Sequence, residues 1–404
     1  MEQVEFLDDL TVRRRVSVDF ELPSNEPNRV IANRAMDLVP LALLQKAPLV
    51  GFDLRDESGA SIPLLTRQQN AFVSWSLLAA VGEVAARLGG FPLPLPAEVL
   101  TDLHRITFER PELAAQALRR FVKPGRRATK SLRRALMRDE VFATLADALV
   151  ANFLLLVLVE HNPSQRRVMK FSYIEPLPWP PLSWSLKEWK RLNWMIRIRL
   201  GWEPVPLDFA VPSLNEAGAF HFEVAAPRGL VVQSAEVVED ETGYVVTEVS
   251  GPAGPKVHLY VPTEEYWDLS SAWVWLQPNL PGLIRASYLF ALGVAMLLLA
   301  LAVRGPTVPE NPASTLLLAV PGFVGLFIAR PGEHLLTSRA LLGFRGVVAV
   351  LGLLPFAGAA GLVLGAKGTS ERVMWWVLAG MALGLTSIIR KTRSAAKDVT
   401  YGAG

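Results

Sequence analysis

The chain of 404 residues contains no cysteine. Disulfides, thiolate nucleophiles and cysteine-ligated metal sites are thereby excluded, while the compartment stays open, since many extracytoplasmic chains also lack cysteine. Histidine is scarce. His104, His161, His221, His258 and His334 are scattered and match no metal-binding spacing such as HExxH. The glycine patterns GxxxxGK and GxGxxG and the nucleophile elbow GxSxG are missing as well. Asp53, Asp56 and Glu57 lack the spacing of a calcium-binding loop and read as part of a hairpin turn. These absences leave no catalytic signature and no cofactor to expect. A site assembled from distant residues would leave no such trace.

No secretory leader is expected from the first residues. Met1–Leu22 carries Glu2, Glu5, Asp8 and Asp9 and then Arg13, Arg14 and Arg15, where a leader needs a basic start and an apolar core. The first segment expected to engage an insertion machinery begins at Ala286.

What the chain has is apolar residues, unevenly spread. They make up 51% of the sequence, with mean hydropathy +0.28. Up to Arg285 charges recur every few residues; from Ala286 to Arg390 Leu, Ala, Val and Gly dominate. So sharp a break points to two solvents, water and lipid. Arg outnumbers Lys, and Ala, Leu, Gly and Pro are abundant, the usual imprint of a GC-rich bacterial genome.

Four charge-free stretches follow in series: 286–303, 313–329, 346–366 and 373–389. Each approaches the length that crosses ~30 Å of hydrocarbon. Arg285 and Tyr288 enter the first, and Trp375 and Trp376 stand near the start of the fourth, as interface residues do. The link after the second stretch holds Arg330, Arg339 and Arg345, and the tail holds Arg390, Lys391, Arg393 and Lys397. The opposite links hold Arg304, Lys367 and Arg372. The excess of basic residues assigns the tail to the cytoplasm, and an even number of crossings brings the N-terminal region to the same side. The expected location is the cell membrane, multi-pass, with both termini cytoplasmic. No ionisable group interrupts the four stretches, which disfavours an ion-coupled transporter. Gly361 and Gly365 form a small-xxx-small pair, read first as packing within one bundle and second as packing between copies.

The N-terminal region reads as α+β. Val12–Leu22 alternates like a half-buried strand, broken on its apolar face by Arg14. Phe52–Leu65 reads as a hairpin across Asp56–Gly59. Thr66 and Gln69 form a capping box ahead of an amphipathic core helix over Ala71–Leu88. Further helices are expected over Ala97–Leu103, Pro111–Val122, Thr129–Met137 and part of Val141–Val159. That last stretch is nearly long enough to span. A central Asp such as Asp147 costs about 2.5–3.5 kcal/mol on insertion scales, so it reads as buried helix or as helix running into strand. Strands are expected over Val168–Ile174, Ile196–Leu200, Leu207–Val211, Phe220–Val224, Leu230–Val238, Tyr244–Val249, Val257–Val261 and Ala272–Leu276, spacing that suits an antiparallel sandwich-like part. The resulting organisation is a strand-rich start (1–65), a helical insertion with a basic cluster (66–165), a β-rich part (166–282), four transmembrane helices (283–390) and a basic tail (391–404).

Two clusters carry what chemistry there is. Between Arg119 and Arg138 nine basic residues precede the first acid, Asp139. Arg126, Arg127, Lys130, Arg133, Arg134 and Arg138 are the candidates for contact with anionic lipid or an acidic protein, with Arg126, Lys130, Arg134 and Arg138 at i,i+4 spacing. The plain alternative is a solvated face paired with acids from elsewhere. Nucleic acid is disfavoured because the run lacks interleaved aromatics for stacking. The second cluster is aromatic. Trp184 and Trp189 lie among Lys187, Lys190 and Arg191, and Trp273 and Trp275 lie near the first membrane segment. Such composition suits a membrane interface, although sheet and loop packing is the preferred reading of 183–200.

The expected function is a non-enzymatic, membrane-anchored binding or scaffold protein at the inner membrane face. The alternatives are a homo-oligomeric channel or effector gated by the soluble part and, last, a membrane-bound enzyme with an unrecognised site.

Overall fold

A computed structural model of the chain describes residues 1–7, 10–21, 29–31, 34–47, 49–122, 129–161, 166–177, 188–210, 219–239, 245–262, 269–304, 312–330, 332, 334–364 and 368–401. In chain order the elements begin with strands β1 (Glu2–Phe6), β2 (Thr11–Glu21), β3 (Arg29–Ile31), β4 (Arg34–Gln45) and β5 (Val50–Arg55). Five helices follow: α1 (Arg67–Leu88), α2 (Ala97–Phe108), α3 (Pro111–Val122), α4 (Lys130–Leu136) and α5 (Glu140–Ala151). Then come β6 (Asn152–Glu160), β7 (Arg166–Pro176), α6 (Glu188–Arg199), β8 (Val205–Ala210), β9 (Ala219–Ala225), β10 (Leu230–Glu239), β11 (Val245–Gly254), β12 (Lys256–Pro262) and β13 (Leu269–Pro278). The chain ends in α7 (Pro281–Arg304), α8 (Pro312–Ala329), α9 (Leu335–Ala340), α10 (Leu342–Val363) and α11 (Thr369–Tyr401). The protein is thus mixed α/β with sheets, and its C-terminal part is helical and apolar.

Two compact units result. The first comprises Met1–Glu2 and Arg14–Glu175, the second Gln3–Arg13, Pro176–Val211 and Ala219–Gly404. In the first, α1 starts where its sequence says it should. The Thr66 hydroxyl accepts from Gln69 N–H while the Gln69 side chain accepts from Thr66 N–H at 2.8 Å. Leu78, Ala85 and Ala86 of α1 pack with Val99, Leu103 and Ile106 of α2, Phe121 of α3, Leu136 of α4 and Phe142 of α5. Gly82 brings α1 so close to Phe142 and Leu95 that a Cβ there would meet them at 3.1 and 3.2 Å. The stretch 141–159 changes from helix to strand at Asn152, whose amide caps α5 on the Ala148 carbonyl at 3.1 Å. The strand half, β6, pairs antiparallel with β4, a strand not foreseen because Pro40 interrupts its pattern; the register shifts between Pro40 and Ala42.

The first unit also resolves the oddity at Arg14. This residue is 3% exposed on the apolar face of β2. Its Nε donates to Glu2 Oε1 at 2.6 Å, a second nitrogen also meets Glu2, and Nη1 lies 3.2 Å from Glu175 Oε1. Its guanidinium stands over the Tyr173 ring.

In the second unit β8, β13, β10 and β11 form an antiparallel sheet in the order β11-β10-β13-β8. β9 pairs antiparallel with β12 and neighbours β1. Aromatic rings tie these two sets together: Phe209 of β8 lies 5.9 Å from Phe222 of β9 and 6.4 Å from Phe6 of β1. The apolar helices build a second core from Ala291, Val294 and Leu298 of α7, Phe344, Val348 and Leu351 of α10 and Trp375, Leu378 and Ala382 of α11.

One expected strand is a helix. Ile196, Ile198 and Leu200 alternate with Arg197 and Arg199, a period-2 pattern, yet 188–199 folds as α6. Its Leu, Met, Lys and Arg are good helix formers, with no Gly or Pro before Gly201. Gly201, at φ +71°, closes it: its N–H reaches the Ile198 carbonyl at 2.8 Å, and Trp202 N–H reaches the Arg197 carbonyl at 2.9 Å. That pair of bonds is the Schellman helix stop.

Four helices are long and apolar enough to cross a membrane: Arg67–Leu88, Pro281–Arg304, Leu342–Val363 and Thr369–Ala396, with Leu318–Ala329 a shorter apolar helix. Three of the four, and the shorter one, coincide with the charge-free stretches. The fourth is α1, whose buried face is committed to the core just described.

Candidate functional site

The polar features of the second unit converge where the apolar helices meet the sheets. Trp202, set just beyond the stop of α6, donates its indole N–H to Thr392 Oγ1 of α11 at 3.0 Å. The Thr392 hydroxyl donates in turn to the Leu200 carbonyl at 2.9 Å. Gln277, 3% exposed at the end of β13, donates to the Gly201 carbonyl at 3.2 Å. The Lys391 ammonium stands 4.0 Å from the centre of the Trp202 ring, and the Arg393 guanidinium 4.7 Å from that of Tyr288 on α7. A second seam lies alongside. Gly343, at the start of α10, meets the backbone of Arg199 so closely that a Cβ there would lie 3.0 Å from the Arg199 carbonyl oxygen. Thr337 of α9 donates to the Arg228 carbonyl at 2.9 Å. β13 passes into α7 with two residues between them, and Asn279 N–H is held by the Gly229 carbonyl at 2.9 Å. Three chain segments thus lock the sheets of this unit to one end of the helices. That end carries Arg285, Arg339, Arg345, Arg390, Lys391 and Arg393.

The basic run of the first unit divides. Arg126 and Arg127 lie outside the described residues. Lys130, Arg134 and Arg138 are exposed at i,i+4 spacing, and no ion pair among the described residues engages them. Arg133 turns inward instead. It is 7% exposed, 2.7 Å from Asp102 and over the Phe121 ring, so it braces α4 against α2 and α3 and is withdrawn from the surface face.

Trp184 lies outside the described residues; Trp189 falls in α6, and its side chain is likewise not described. Trp273 and Trp275 are stacked on each other, ring centres 6.2 Å apart, on the half-exposed face of β13 opposite the buried Ala272, Val274 and Leu276. Gly365 is outside the described residues. Gly361 packs against α11 within the chain, where a Cβ would strike Met374 Sδ; at Gly358 it would strike the Trp375 indole. The α8–α10 contact is built the same way, with Gly352 facing Pro321 and Gly325.

Sequence spacing missed two features. His221 and His258, far apart in the chain, stack across β9 and β12 with their ring nitrogens 3.1 Å apart. Burial and then the neighbouring His258 push the His221 pKa down. Among the described residues no group of three His, Cys, Asp or Glu could hold a metal ion. The other is Lys46, which donates to the Ile106 carbonyl in the last turn of α2 at 2.6 Å. Burial, with help from Arg67, lowers its pKa to about 8. A pattern search over motifs finds neither, because the first needs strand register and the second a helix end.

No family model, curated protein or solved structure matches the chain.

Proposed function

We propose that the chain is a multi-pass protein of the cytoplasmic membrane whose soluble part is a non-enzymatic platform at the inner face, docking on anionic lipid. The observation that carries this reading is the seam of Trp202, Thr392, Gln277 and Gly343. It fastens folded sheets to the helix ends that bear the most Arg and Lys, and such ends face the cytoplasm. The exposed Lys130, Arg134 and Arg138 supply a second cationic face, each such residue contributing about 1 kcal/mol beside an anionic leaflet. The in-chain packing of Gly352, Gly358 and Gly361 favours a self-contained bundle over a channel assembled from copies.

Orientation is tested with single cysteines in the naturally cysteine-free chain. In intact cells a membrane-impermeant maleimide is expected to miss Glu57→Cys and Ser394→Cys and to modify Thr369→Cys at the other end of α11. Modification at 57 and 394 with none at 369 inverts the topology and removes the inner-face setting.

Lipid docking is tested by hydrogen exchange of the full chain in nanodiscs. The α4 amides are expected to be protected in anionic lipid relative to neutral lipid, with the protection erased by high salt and by joint Lys130→Glu, Arg134→Glu and Arg138→Glu substitution. Equal exchange in both lipids would sink the lipid reading in favour of a protein partner.

A further inference from the structure

The helix that replaces the expected strand carries an unexplained surface. Leu192 and Ile196, one turn apart on α6, are 50% and 46% exposed. On the opposite side Ile198 is buried, and Leu200, which continues the Leu192–Ile196 row at the end of the helix, is buried as well. Arg199 and Asn193 are exposed on either side of this stripe, and Lys190 also reaches the surface. Two apolar residues of the helix thus face outward beside Arg199, while Ile198 on the far side meets protein.

Its depth is fixed by what its last turn touches. Arg199 abuts Gly343 at the start of α10, and Leu200 and Trp202 hold Thr392. Thr392 comes three residues after Ile389, the last residue of the charge-free stretch of α11, and Arg390 and Lys391 fill the gap. Gly343 likewise comes three residues before Gly346, where the charge-free stretch of α10 begins. The last turn of α6 thus sits at the level where both apolar helices turn basic. Lys391 on Trp202 and Arg393 on Tyr288 mark the same level with the aromatic and cationic residues of a headgroup belt.

We infer that α6 is an interfacial membrane helix, with Leu192 and Ile196 immersed at the boundary of headgroups and acyl chains and Arg199 on lipid phosphates. This inference rests on the membrane reading above and adds a lipid-contacting element to it. Exposed apolar residues beside a cation, on a helix anchored at headgroup depth, suit a helix that lies in a leaflet, buried ~5–10 Å. A protein partner fits less well, because the surface beside the ends of α10 and α11 is the leaflet those helices would cross. Through the Gly201–Gln277 hydrogen bond the leaflet would then help position β13 and its sheet.

Spin labels on the full-length chain in nanodiscs of mixed neutral and anionic lipid test this. Labels go on Leu192→Cys and Ile196→Cys, with Glu57→Cys in the exposed turn after β5 as the aqueous reference. Phe356→Cys, on the exposed side of α10, is the lipid reference. Power saturation compares collision with oxygen, which concentrates in lipid, and with a nickel chelate, which stays in water. The oxygen-to-nickel ratio at 192 and 196 is expected to exceed that at 57 several-fold, approaching that at 356. A ratio at 192 and 196 equal to that at 57, with 356 still lipid-like, overturns the interfacial helix and leaves the membrane reading intact. A water-like 356 overturns both.

Discussion

Replacing Arg14 with methionine is expected to destabilise the first unit by about 3–5 kcal/mol, because it breaks a buried ion pair and strands the partner carboxylates. Glu2 is 1% exposed and Glu175 largely enclosed. Burial works against the Arg14 charge, but Glu2, Tyr173 and Glu175 more than offset it and hold the guanidinium above its ordinary pKa. Burial already raises the Glu175 pKa, and Arg14 is the main opposing influence. Without Arg14 the folded-state pKa of Glu175 climbs further above its unfolded value. The folded state then binds more protons, so the penalty grows as pH rises through the carboxylate range and shrinks as pH falls. Thermal unfolding followed by circular dichroism at two pH values measures both effects. Adding Glu2→Gln and Glu175→Gln to Arg14→Met is expected to recover part of the loss. A variant within ~0.5 kcal/mol of the parent, the range of inert surface changes, would show that the triad holds nothing together.

Gly352→Val is expected to have the second largest effect, at or above the ~1–3 kcal/mol usual for overpacking. The obstruction at 352 is backbone: a Cβ would lie 2.8 Å from the Pro321 carbonyl oxygen and 3.1 Å from Gly325 Cα. Backbone cannot rotate aside as a side chain can, so α8 and α10 must separate. Gly346, on the same helix, has nothing within 4 Å of its Cβ position. Gly346→Ala should therefore be neutral or stabilise by up to ~1 kcal/mol through helix propensity. Unfolding in detergent, followed by tryptophan fluorescence, distinguishes the pair. Equal midpoints for the two variants would mean that the close α8–α10 approach contributes nothing.

These two sites differ in how well the sequence announces them. The apolar helices are legible from composition, because lipid-like stretches need no partner to be recognised. The capping box at Thr66 and the turn at Asp56 are legible because they are local. Arg14 stands out as an intrusion on an apolar face, yet its partners Glu2 and Glu175 come from distant strands and no spacing reveals them. Of the glycine pair Gly361 and Gly365, Gly361 lies in α10, the helix that makes these contacts. Gly352, which makes the closest approach to backbone, shows itself only against Pro321 of α8. α6 was hidden by alternation: Ile196, Arg197, Ile198, Arg199 and Leu200 satisfy a strand, while Leu192, Ile196 and Leu200 also fall in one helical row. Gly201 as a stop signal would have decided between them. Within the basic run, charge counting cannot separate Arg133, which is buried on Asp102, from its exposed neighbours Lys130 and Arg134.

The continuity of α11 has a mechanical side. Its 33 residues run unbroken from Thr369 to Tyr401, about 50 Å at 1.5 Å per residue. The charge-free part ends at Ile389, and the remainder projects past it. A bilayer thinner than the apolar length tilts such a helix. An unbroken helix carries that tilt beyond the hydrocarbon undiminished, so a change of about 10° sways its far end by roughly 3 Å over the last ~18 Å. On the membrane reading proposed above, Thr392, about 4.5 Å past the charge-free part, would carry a smaller share of that sway, and bilayer thickness would reach the sheets through its bonds to Trp202 and the Leu200 carbonyl.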